Sequence, residues 1–158
     1  MTNRPRPQNA PTGFDWIAGA QGWQVEDDVL TVSLLTARRK QAAIMFRIEQ
    51  PAVWRISFFP VGVSPEYREP VAARPVLTPL PIDVGKTAGG LLVSGADLSL
   101  EIRFRPGLMR FLNGAGEEIF AENPDDIDGL GRPFVLPLGF VQKKGVIAEI
   151  SESFRLRP

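Results

Sequence analysis

Residues 91–122, LLVSGADLSLEIRFRPGLMRFLNGAGEEIFAE, carry the clearest two-residue hydrophobic period in the chain. Ala96, Leu98, Leu100, Ile102 and Phe104 fall on one face; Asp97, Ser99, Glu101 and Arg103 fall on the other. Successive side chains of a strand point to opposite sides, so this period predicts a strand with one buried and one wet face. Arg105-Pro106-Gly107 interrupts it, and Leu108 to Leu112 starts a second strand. Asn113-Gly114 is a strong reversal signal, because both residues tolerate positive φ. The following Ala115-Gly116 leaves a longer loop equally open. Residues 117–122 form the returning strand, taking Ile119 alone or Phe120 with it into the core.

The rest of the chain continues in the same way. Residues 21–26 predict a short first strand, and residues 29–35 a second in which Leu30, Val32 and Leu34 oppose Val29, Thr31, Ser33 and Leu35. Residues 42–49 place Ile44, Phe46 and Ile48 on one face, and residues 54–59 do the same with Trp54, Ile56 and Phe58. Pro51 between them disfavours a helix through both. Residues 134–142 and 146–156 predict a last pair around Lys143-Lys144-Gly145. Fifteen prolines and fifteen glycines in 158 residues favour many turns over long helices. The expected fold is therefore all-β, nine to twelve short strands in two antiparallel sheets packed as a β-sandwich. The basic, proline-containing start suggests a division into a flexible arm, residues 1–20, and a sandwich, residues 21–158.

The absence of cysteine and histidine excludes disulfides, a thiolate nucleophile and any imidazole-based relay within this chain. Eighteen basic and eighteen acidic residues cancel, which argues against nucleic-acid binding through a strong overall positive field. No apolar run approaches the length of a membrane-spanning helix, and the first residues do not read as a signal peptide, so a cytoplasmic location without a membrane partner is expected. No cofactor or bound metal is expected either, with calcium or magnesium on carboxylates the one alternative left open.

Four stretches invite chemistry. Arg38-Arg39-Lys40 reads as an anion patch or, more simply, as a solvated turn. Val84-Gly85-Lys86-Thr87 ends like a phosphate-binding loop, but position 80 is leucine where that motif needs glycine, and a strand rather than a helix follows. Residues 60–78, with prolines at 60, 65, 70 and 75, read as edge or loop. Asp125, Asp126 and Asp128 are candidates for calcium or for sugar contact, although their spacing is not that of the regular calcium loop, and as solvated loop acids they need no ligand. Trp16 and Trp23 are the aromatic candidates for stacking on a sugar, against the simpler role of core filling.

Taken in order, Trp54-Arg55-Ile56-Ser57-Phe58-Phe59-Pro60, then Val93 through Ile102, then Pro106 through Ile119, then Ser151 through Pro158, resemble successive strands of the N-terminal β-sandwich of glycoside hydrolase family 31, the α-glucosidase and α-xylosidase group. The resemblance spans residues 29–158. It implies a galactose-mutarotase-like supersandwich, and a catalytic (β/α)8 barrel following in the parent chain as its partner. The family's catalytic carboxylates would lie in that barrel, and none maps onto these residues. The ending of the sequence, close to where the family's glycine- and aromatic-rich entry to the barrel would begin, suggests a piece of a longer enzyme. A role that supports the barrel and shapes its substrate entrance follows from the resemblance. A free-standing carbohydrate-binding module is the alternative, with an oligosaccharide as ligand.

Overall fold

The computed structural model describes residues 10–65, 78–105, 107–122, 138–152 and 154–156. Twelve strands run through them: β1 (Phe14–Glu26), β2 (Val29–Thr36), β3 (Gln41–Gln50), β4 (Val53–Phe59), β5 (Asp83–Thr87), β6 (Gly90–Ser94), β7 (Leu98–Arg103), β8 (Leu108–Asn113), β9 (Glu118–Glu122), β10 (Gly139–Lys143), β11 (Val146–Ser151) and β12 (Phe154–Leu156). They form two antiparallel six-stranded sheets, β11-β10-β1-β2-β3-β4 and β12-β9-β8-β7-β6-β5. Each sheet is a meander of sequential hairpins extended by strands from late in the chain.

Turn chemistry sets the registers. Asp27 and Asp28 both have positive φ, 49° and 59°, and join β1 to β2 in a two-residue turn with the twist that hairpins prefer. Lys144 and Gly145 do the same between β10 and β11. Asn113 and Gly114 do not close a two-residue turn. Gly116 N–H donates to Asn113 C=O at 2.9 Å, Gly116 sits at φ +80°, and Asn113 N–H donates to Glu117 C=O at 2.8 Å, so the loop has three residues. The Asn113 Oδ1 accepts the N–H groups of Ala115 and Glu117, each at 2.9 Å, which locks the loop from inside. A register shift follows, and Phe120 is the residue that stacks on Phe111, ring centroids 4.5 Å apart.

The core lies between the sheets. Leu30, Val32, Ile44 and Phe46 from one sheet meet Leu91, Val93, Leu100, Ile102 and Phe111 from the other. The long period in residues 96–104 is realised from Leu100 through Phe104, while Ala96 is exposed and precedes the strand. Trp54 and Phe58 pack on the core, and Trp54 meets Phe111 edge-on across the sandwich at 6.0 Å. Ile56, expected beside them, is 40% exposed.

Two sequence expectations are corrected. Residues 14–20, placed in the arm, are the first half of β1; they pair with β10 at Phe14–Trp16 and with β2 from Ile17 onward. Phe14 and Ile17 are buried, so this segment belongs to the sandwich. Residues 146–156, read as a single strand, divide at Glu152: β11 joins the first sheet and β12 the second.

The sheets also touch through backbone. Ala20 N–H donates to Phe104 C=O at 2.9 Å, where β1 bulges on either side of Gly19 and Ala20. A Cβ on Gly19 would stand 2.9 Å from that same carbonyl oxygen, so only glycine permits the approach.

Candidate functional site

At one end of the sandwich, β1 and the β5–β6 hairpin enclose an open cleft of about 710 Å³. That volume lies within the roughly 300–1,000 Å³ range of small-molecule sites. Its wall is built by strand alternation. Trp23 pairs with the fully buried Val32 and shares its inward face, so part of the indole packs on the core while the residue also lines the cleft. Phe104 reaches the same space from the end of the β7 period. Val84 packs on the core, and Lys86, two residues on and on the same face of β5, emerges at the rim. Arg105, Thr87 and Gln21 complete the polar wall, all exposed.

The cleft puts the Gly-Lys-Thr sequence in context. Gly85, Lys86 and Thr87 lie on β5 and pair with Leu92, Leu91 and Gly90, with Ala88 and Gly89 as the turn. No helix follows, so the converging amides of a phosphate-binding loop are not formed. The Arg38-Arg39-Lys40 triplet is likewise a turn, with all three residues exposed. Arg39 takes φ 61° and its N–H donates to Thr36 C=O.

Of the expected sugar contacts, Trp16 and Trp23 stand seven positions apart on β1, roughly 20 Å along a strand. They do not share a platform. Trp16 is half-buried and stacks on Phe14 with ring centroids 6.4 Å apart. Asp125, Asp126 and Asp128 lie outside the described residues, as does most of the proline-rich segment. Among the described residues no three acidic side chains gather as a metal-binding group.

A pair of acids that sequence reasoning left unpaired does come together. Glu122 closes β9 at 4% exposure, and its Oε2 accepts Met109 N–H at 2.8 Å. Glu152 stands where the chain passes from β11 to β12. Burial, and then the charge of Glu122, push its carboxyl up from an ordinary 4.5 to about 8. It therefore keeps its proton at neutral pH, as a carboxyl taken out of water does, with the nearby Glu122 charge adding to the effect. Glu122 borders an internal cavity of about 20 Å³, lined otherwise by Ile17, Phe46, Met109 and other apolar groups. Such a space holds about one water, not a sugar ring. The only hint in the sequence was the break in alternation at Glu152; which acid it would meet depends on the sheet crossing.

No protein-family model matches the chain, and no curated protein matches it. Solved structures do. The uncharacterized protein lmo2446 from Listeria monocytogenes EGD-e has a TM-score of 0.63 at 18% identity, over 85% of this chain and 11% of that one. The same figures hold for that protein in complex with α-D-glucose, β-D-glucose, magnesium and calcium. They hold again for the cycloalternan-forming enzyme from Listeria monocytogenes in complex with pentasaccharide substrate. This chain thus spans about a tenth of the length of the structures it resembles. At 18% identity the likeness is one of fold, and it places an all-β sandwich of this kind within a much larger chain.

Proposed function

We propose that this chain is a non-catalytic β-sandwich domain of an α-glycosidase of the glycoside hydrolase family 31 type, packing beside a catalytic (β/α)8 barrel and shaping its substrate entrance. The observation that carries this reading is the match of 85% of the chain to a minor portion of a sugar-acting enzyme, together with the ordered strand motifs from Trp54 to the end. Two further features support it. Of the two acids that interact, Glu122 borders only a space too small for a sugar ring. The edge strands β11 and β12 also leave apolar side chains in solvent: Val146 is 68% exposed, Ile150 51% and Phe154 38%. Apolar side chains left exposed on edge strands suit contact with a neighbouring domain.

The test is direct. The purified 158-residue chain should release no nitrophenol from 4-nitrophenyl α-glucoside above the buffer rate; steady release would overturn the non-catalytic reading. The encoding reading frame should continue into a barrel after Pro158, and a stop codon there would overturn the assignment to a glycosidase chain.

A further inference from the structure

We propose that the cleft beside Trp23 binds a pyranose carrying an acidic group, a uronate or a sugar phosphate. This is independent of whether the chain serves a glycosidase, because it rests on the cleft alone. Three properties point the same way. Lys86 and Arg105 both line the cleft, no lining residue is acidic, and neither cation has an acidic partner among the described residues. In a chain with zero net charge, two unneutralised cations on one concave surface form a local anion-attracting field. Trp23 and Phe104 supply apolar ring surface of the kind that packs on the C–H face of a sugar. Gln21 and Thr87 offer an amide and a hydroxyl for ring hydroxyls.

The backbone adds to this and disfavours a rival. Beyond Trp16, β1 pairs with β2 alone, so among the described residues its other edge has no strand beside it as it passes the cleft. An extended peptide could use such an edge by adding a strand. Here register shifts between Ile17 and Gly19 and between Ala20 and Gly22 break the ladder up to the start of the cleft, the Ala20 N–H is already given to Phe104 C=O, and only Gly22–Glu26 runs on in regular register. Bulges of this kind blunt an edge against strand addition. A compact ligand with hydroxyls and one anion uses the same groups without needing a regular ladder.

The experiment is calorimetric titration of the full chain with D-glucuronate, D-glucose 6-phosphate, D-glucose and inorganic phosphate, each to roughly 10 mM, a range that captures weak binding. Binding of either acidic sugar, at least threefold tighter than both glucose and inorganic phosphate, is expected. Which acidic sugar binds identifies the anion as carboxylate or phosphate. Lys86→Ala and Arg105→Ala should each weaken that binding roughly threefold to tenfold, as loss of one partly exposed charge contact does. Because Trp23 also contacts the core, Trp23→Phe replaces an alanine variant; it should weaken binding while leaving the unfolding midpoint within a few degrees. No binding of either acidic sugar overturns the proposal. So does glucose or inorganic phosphate binding equally well, or affinity unchanged in both cation variants.

Discussion

Strands β3 and β11 carry the same kind of sequence and meet opposite fates. AAIMFRIE and VIAEIS both repeat apolar residues at alternate positions. In β3 every residue from 42 to 48 is buried, with Ile44, Phe46 and Ile48 on the core face and Ala43, Met45 and Arg47 on the other. In β11, Val146, Ala148 and Ile150 are all exposed, and the register shift opposite Val141 and Gln142 puts Val146 and Ile150 on opposite faces. The difference is place. β3 is flanked by β2 and β4 and faces the second sheet, whereas β11 is an edge strand with β10 as its only partner among the described residues. Period two says that a segment is a strand; it does not say how deep the strand lies. Complete burial of a Phe or Ile contributes about 1.5–3 kcal/mol, so the two strands contribute very differently to stability.

That contrast can be broken or sharpened by substitution. Phe46→Ala should cost about 3–5 kcal/mol in urea unfolding, from lost transfer energy and the cavity left in a closed core. A cost below that of an edge substitution would mean that position in the sheet is not what matters. Next comes the point where the exposed edge turns inward at Glu152. The native state holds this proton up to about pH 8, and the unfolded chain releases it near 4.5. Between those values the native state binds more protons, so stability is full below 4.5 and declines as pH rises through 8, on the order of a few kcal/mol. Glu152→Gln should flatten that decline and be more stable than the parent at pH 9. A parent whose stability rises across the window would contradict the raised carboxyl that burial, and then Glu122, impose on Glu152.

Smaller effects lie at the joints. Gly19→Ala sets a methyl against the Phe104 carbonyl and should cost about 1–3 kcal/mol, as overpacking does. Thermal unfolding of the variant measures this directly. Asn113→Ala removes the bonds to Ala115 and Glu117 and should cost roughly 0.5–1.5 kcal/mol. Ile150→Ser should shift stability by no more than about 0.5 kcal/mol, as exposed substitutions do. A larger loss there would place β11 in the core after all and remove the contrast with β3.

The sequence determined the class of fold through local rules. Alternation marked β2, β3, β4 and β7 and the inward residues of the first three, save Ile56, because side chains in a strand point alternately to its two sides. Turn chemistry marked the reversal at Asn113, and the three-residue loop was one of its two readings. It also disqualified the Gly-Lys-Thr stretch, since a strand followed where a helix was required. Trp23 was legible as an aromatic to inspect, but its companions were not. Lys86 and Arg105 lie 63 and 82 positions away in sequence and reach the cleft only because β5 and the end of β7 pack across from β1. The tertiary structure alone decided which alternating strands are sealed and which form edges, that β1 begins at Phe14, and that the last predicted strand divides between two sheets. It alone brought Glu152 against Glu122. The physical reason is common to all of these. Burial, charge pairing and cleft formation depend on contacts between segments remote in sequence, and a local period holds no information about which remote segment will arrive.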